Sequence, residues 1–168
     1  MNPVSTTIAV DAPRERVFEL ICDLAARPSF TDHFITGYRV ERIPAAGVGA
    51  GARFRVGPAR DRMWMETVIH RVERPHRVEE RGAGGRLDRI PVFTSWELVT
   101  GPGSTTEVTV SFWTEPATRG DRMRERLGVR GWYRRRWRRA LHRLKAVAEA
   151  GRAPERVVVA GADRVPVT

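Results

Sequence analysis

The chain holds one cysteine, Cys22. A lone thiol excludes an intrachain disulfide and any cysteine-built metal cluster, and a reducing cytoplasm is the expected compartment. Histidine is scarce as well. His33, His70, His76 and His142 share no H-E-x-x-H or comparable spacing, so no metal site is predicted. No run approaches the roughly 20 uncharged apolar residues that cross a bilayer. The first ten residues lack a basic start followed by an apolar run, so no secretory signal is expected. Neither a P-loop, a dinucleotide fingerprint nor a Gly-x-Ser-x-Gly elbow occurs. The stretch Gly47-Val48-Gly49-Ala50-Gly51 is glycine-rich but lacks the lysine and strand–helix setting of a phosphate loop. No cofactor is predicted.

What is present is globular. Of 168 residues, 41% are apolar and 30% charged, a composition that argues against a disordered or fibrous chain. One domain over residues 1–150 is expected, with a tail over 151–168 that is either loose or adds an edge strand at 157–159. Lysine is nearly missing: Lys145 stands against 29 arginines. The net charge of +10 lies entirely in residues 119–145, and the rest of the chain is balanced.

Local pattern gives the elements. Val4 to Val10 alternates as a strand. Asp11-Ala12-Pro13 opens a helix with Glu15 in its first turn, and Val17, Phe18, Leu20, Ile21 and Leu24 form its apolar face. Pro28 ends it, and a short second helix or turn follows over 30–34. Strands are predicted over 38–43, 52–56, 63–72, 77–81, 92–99 and 106–115, with Gly82-Ala83-Gly84-Gly85 as a break and Gly101-Pro102-Gly103 as a hairpin turn. Tyr133, Trp137, Ala140, Leu141, Leu144, Val147 and Ala148 recur at helical steps. Gly128 and Gly131 weaken that helix by about 1 kcal/mol each, so a break is expected near them, with Met123 and Leu127 on a separate first piece.

The order is therefore strand, two short helices, six strands and a long helix. Sequential strands with short turns make an antiparallel sheet, and the last helix must bury its apolar stripe on it. The predicted fold class is α+β, a curved antiparallel sheet wrapped round a long C-terminal helix.

Several segments carry a family resemblance. The opening Thr6-Thr7-Ile8-Ala9-Val10-Asp11-Ala12-Pro13, with Val17-Phe18 and Asp23 after it, is the first. Val68 to Val78, a strand–proline–strand step, is the second. Trp96-Glu97-Leu98, then Gly103 and Thr105 to Val110, is the closing hairpin. Together they resemble the SRPBCC superfamily of START/Bet v 1-like helix-grip domains, in its polyketide cyclase/dehydratase-like branch. That resemblance implies a helix-grip fold and a role among lipid carriers, hormone receptors, aromatic cyclases and oxygenase subunits. The His/His/carboxylate spacing of the oxygenase branch does not occur here. Fold alone does not choose among the others.

Strand parity places Tyr38, Phe54, Trp64, Trp96 and Phe112 inward, with Tyr133 facing them from the helix. These six rings are the candidate lining for a small hydrophobic or aromatic ligand. The same parity turns Glu66 and His70 inward, as a polar anchor or general acid–base pair; a local bulge would instead turn them out. His33 and Phe34 are candidates for a gate at the mouth, beside Asp32. Cys22 reads as inert core. Arg134, Arg135 and Arg138 interleave with Trp137. They read as a solvated face or as a surface for anionic lipid, and nucleic acid is the less favoured partner. Trp132 falls opposite Trp137 and is expected to be exposed or inserted, which would suit lipid contact. The functions that follow are, in order, hydrophobic-ligand binding, cyclase/dehydratase-like catalysis, and peripheral docking on an anionic surface. Oligomeric state is left open.

Overall fold

The computed structural model describes residues 1–59, 62–124, 128–151 and 153–157. Seven strands form one antiparallel sheet in the order β1-β7-β6-β5-β4-β3-β2. They run Val4–Val10 (β1), Ile35–Val40 (β2), Gly51–Val56 (β3), Met63–Glu73 (β4), Arg77–Gly84 (β5), Ile90–Thr100 (β6) and Thr106–Thr114 (β7). Helices α1 (Arg14–Cys22) and α2 (Pro28–Thr31) link β1 to β2, and α3 (Arg119–Arg124) and α4 (Arg130–Glu149) follow β7. The sheet curves as a half-barrel round α4, the helix-grip architecture. No helix among the described residues is long and apolar enough to cross a membrane.

Alternation builds the walls. In β7, Thr106, Val108, Val110, Phe112 and Thr114 are buried while the residues between them are less so. On α4, Tyr133, Trp137, Ala140, Leu141, Leu144 and Ala148 face the sheet. Trp137 meets Trp96 edge-on, with ring centroids 5.6 Å apart, and Phe112 at 5.9 Å. The expected break before α4 falls at Gly128, whose φ of +88° is not that of a right-handed helix. Leu127 lies outside the described residues. So do 158–159; of the suggested tail strand only Val157 is seen, donating its N–H to the Ala25 carbonyl at 2.9 Å.

Two expectations change. Gly82 and Gly84 do not break the chain but lie inside β5, opposite Thr67 and Met65. A Cβ on Gly82 would stand 1.8 Å from the Glu66 carbonyl oxygen, and one on Gly84 2.7 Å from Met65 Cγ. These glycines let two strands approach closely. The second change is parity in β4. The β4–β5 register slips between Ile69 and Arg71, a bulge that puts an extra residue on one strand. Val72 and Val78 share the inner face below it. Above it the inner residues are Met65, Thr67 and Ile69, at 1%, 7% and 0% exposure. Counting back from Val72 in twos therefore lands on the wrong side. Trp64, Glu66, Val68 and His70 all face outward.

Candidate functional site

The site lies where α4 crosses the inner face of the sheet. A narrow void of about 20 Å³ remains there, room for about one water. Its apolar wall includes Phe34, Tyr38, Phe54, Phe112, Tyr133 and Trp137, and its polar wall Arg27, Thr67, Glu80 and Thr94. Of the six predicted rings, four therefore border the void directly: Tyr38, Phe54, Phe112 and Tyr133. Trp96 is fully buried behind Trp137. Trp64 is a correction; it is 38% exposed on the outer face, held between the guanidiniums of Arg53 (5.6 Å) and Arg55 (5.5 Å).

Glu66 and His70 are corrections of the same kind. His70 Nδ1–H donates to the Glu79 carbonyl at 3.0 Å, and Nε2 lies 3.6 Å from the Glu79 carboxylate. Both contacts are outside the cavity; Glu66 alternates with the inward Met65 and Thr67, and neither Glu66 nor His70 lines the void. The polar group at this wall is instead Glu80, which parity from Val78 would have pointed to. Glu80 Oε1 accepts from Arg27 Nη2 and from Trp96 Nε1, each at 2.8 Å, and Oε2 accepts from Thr67 Oγ1 at 3.0 Å. Arg27 and Glu80 are 4% and 3% exposed. Nη2 also donates to the Ile21 carbonyl at 2.9 Å, and the guanidinium stacks 5.1 Å from Trp96 and 5.8 Å from Phe30. Burial is the largest influence and works against the Arg27 charge, but the charge and hydrogen bond of Glu80, together with Tyr38 and Cys22, outweigh it and raise its pKa further above the ordinary value. With three donors on it, Glu80 is fixed as an acceptor, and its arrangement suits holding Arg27 in place. Burial likewise raises Tyr38, whose hydroxyl donates to the Leu24 carbonyl at 2.9 Å. It pushes the Cys22 thiol up to about 11, which leaves that sulfur protonated and inert at neutral pH.

The mouth is closed by α2 against α4. Phe34 sits among His33 (4.9 Å), Trp132 (6.1 Å) and Trp137 (5.3 Å). Trp132 is thus not free on the far side of α4, as expected from its spacing, but lies across Phe34. Arg143 pairs with Asp32 and donates to the Ser29 carbonyl at 3.3 Å. His33 Nε2–H donates to the Arg136 carbonyl at 3.2 Å, and Arg143 Nη1 donates to His33 Nδ1 at 3.5 Å. That network needs neutral imidazole. Burial lowers the His33 pKa, and the nearby Arg143, Arg139 and Arg136 charges lower it more, while the Arg136 hydrogen bond opposes them.

The unfolded chain takes up the proton first, so this contribution is intact above about pH 6.5 and is lost as pH falls toward the folded value. The carboxylate in this cluster is Asp32, which pairs with Arg143. In thermal melts between pH 7.5 and 5.5, His33→Gln is expected to lose less stability than the wild type. Parallel losses in the two proteins would show that the imidazole does not fasten α2 to α4.

A larger groove of about 540 Å³ runs between α2, the end of α4 and residues 153–157. Asp32, Arg143, Glu155 and Arg156 give it a charged, open wall. None of the buried unpaired nitrogens among the described residues lines it. No cluster of three or more His, Cys, Asp or Glu side chains that would suit a metal ion occurs among those residues.

The sequence matches the family described as polyketide cyclase / dehydrase and lipid transport over residues 1–149. The chain belongs to that family. No curated relative matches it at a significant level. Solved structures similar to this cyclase/lipid-transport family member include KanY protein in solution, 20% identical with a TM-score of 0.73, covering 88% of this chain and 97% of that one. Ginseng major latex-like protein 151 from Panax ginseng is 15% identical with a TM-score of 0.66, again covering 88% and 97%. A START superfamily protein from Mycobacterium smegmatis is 16% identical with a TM-score of 0.62 and the same coverage. At such identities the likeness shows the fold alone. The fold it shows is the helix-grip fold, and the family match over residues 1–149 is what agrees with the expected SRPBCC resemblance.

Proposed function

We propose that the protein binds a small, flat hydrophobic molecule between the sheet and α4, behind a gate made by His33 and Phe34. The observation that carries this reading is the void itself. It stands at the junction of sheet and helix, ringed by Tyr38, Phe54, Phe112 and Tyr133, with a polar end at Arg27 and Glu80. A void of about 20 Å³ holds no such ligand as it stands. Entry therefore needs Phe34 to move and the α2–α4 contacts of Arg143 to part, which makes binding a shift between closed and open forms.

The test is titration with N-phenyl-1-naphthylamine, a neutral apolar fluorophore that the arginines do not attract. Saturable binding is expected. Thr94→Phe, which fills the void, should weaken it by at least tenfold while the protein still melts cooperatively. Absence of saturation, or an unchanged affinity in Thr94→Phe, would overturn the reading.

Cyclase/dehydratase-like catalysis is the second reading, and Arg27 favours it, since a fixed cationic donor at the wall would polarise a carbonyl. Glu66 and His70 take no part in that reading. Docking on an anionic surface is the third. Arg134, Arg135 and Arg138 are exposed, and none of them has an ion-pair partner among the described residues. Turnover of a polyketone separates the second reading from the first. Salt-sensitive sedimentation with anionic vesicles, lost in an Arg134/Arg135/Arg138 triple substitution, identifies the third.

A further inference from the structure

Three buried side-chain nitrogens among the described residues have no hydrogen-bond acceptor: Arg14 Nε, Arg27 Nε and Trp137 Nε1. Two of the three belong to residues that line one void, Arg27 and Trp137. Each residue is 4% exposed, so water does not satisfy these N–H groups from outside. Buried donors are nearly always paired, and each exception calls for a reason.

No acceptor of the described residues lies within hydrogen-bond reach of either N–H. Glu80 takes hydrogen bonds from Arg27, Trp96 and Thr67. The Tyr38 hydroxyl gives its proton to Leu24. Arg27 cannot turn freely to seek another partner. Its Nη2 is tied to both Ile21 and Glu80, and its plane is stacked on Trp96 and Phe30. Trp137 is wedged among Phe34, Trp96 and Phe112. What the inner end of the cavity lacks is an acceptor, and charge narrows the choice. Glu80 already balances the Arg27 cation, so a carboxylate on the ligand would add an unmatched charge to a dry site. A neutral oxygen does not.

We infer that the cavity selects ligands that carry a carbonyl oxygen on a flat apolar frame, with the Trp137 indole N–H and the Arg27 Nε–H as its donors. This rests on the reading that the cavity binds a ligand at all, and it adds a chemical class to that reading. It also assigns Trp137 a recognition role beside its packing one.

Two probes of nearly equal size separate the two ideas: tetralin, a bare hydrocarbon, and 1-tetralone, the same frame with one ketone. A cavity that reads only apolar area favours tetralin. A cavity with unmet donors favours 1-tetralone, on the order of tenfold. Affinities come from calorimetry on the full chain. Trp137→Phe keeps a large ring and removes the N–H. It should cut the preference for 1-tetralone severalfold and leave tetralin affinity nearly unchanged.

A second measurement needs no variant to bind. The five tryptophans give indole N–H resonances, and the Trp137 signal is the one missing from Trp137→Phe. It should move on adding 1-tetralone and not on adding tetralin. Tetralin binding as tightly as or more tightly than 1-tetralone, with that resonance unmoved, overturns the acceptor requirement and leaves the cavity reading standing. If neither probe binds the wild type, the cavity reading falls and this inference falls with it.

Discussion

Glu80→Leu is expected to cost about 3–5 kcal/mol of folding stability, read as a drop in the midpoint of urea unfolding followed by circular dichroism. The size comes from what the change leaves behind. Arg27 stays 4% exposed with its carboxylate gone, and a buried charge without its partner is among the most costly defects a core can hold. Trp96 Nε1 and Thr67 Oγ1 lose their acceptor at the same stroke. A small domain is stable by only about 5–15 kcal/mol, so the variant should sit close to its threshold. Arg27→Met combined with Glu80→Leu should recover most of the loss, because removing both partners removes the stranded charge. Glu80→Gln should fall between, since its one amide oxygen keeps an acceptor for either Trp96 or Thr67 but not the counter-charge. A double variant no more stable than Glu80→Leu alone would mean that the carboxylate acts through packing and not through Arg27.

Gly82→Ala should be nearly as damaging, at about 3 kcal/mol or more. The new methyl would stand 1.8 Å from the Glu66 carbonyl oxygen and 3.0 Å from Thr67 Cα. Those are backbone atoms and cannot step aside as a side-chain tip would. Strands β4 and β5 would have to separate just above the bulge that sets the β4 phase. Gly103→Ala is the control. It has φ +66° at the β6–β7 turn, with nothing within 4 Å of the added carbon, so it should cost only the left-handed strain of about 1–2 kcal/mol. Equal losses at the two positions would show that conformational freedom, not close approach, explains Gly82.

The contrast between these sites shows why some of the molecule was legible in the sequence and some was not. Element order was readable because each strand alternates and α4 repeats at helical steps; Trp96, Leu98, Val108, Val110 and Phe112 all lie on the inner face. The β4 phase was not, because the slip between Ile69 and Arg71 carries no residue signature such as glycine. One extra residue there moved Trp64, Glu66 and His70 to the other side of the sheet. The glycines of β5 mislead in a different way. A Gly-rich run signals a turn when read alone, and only the facing strand shows that the missing side chains make room for it. Arg27 and Glu80 escaped notice because charged residues are expected outside. Glu80 nevertheless lies two residues after Val78, and Arg27 follows Ala25-Ala26; each sits in an apolar setting that a stricter reading of parity would have flagged.

The tryptophans are sorted by the curvature of the sheet. Trp96 and Trp137 touch in the interior, Trp132 lies across Phe34 at the mouth, and Trp64 stands on the convex side. Trp113 stacks on Phe93 there too, with centroids 5.1 Å apart. Intrinsic emission from this protein is therefore expected to come from two populations, one shielded from a dissolved quencher such as iodide and one within its reach. The shielded pair forms part of the core around the void, so the molecule carries a built-in gauge of its own opening without any attached dye.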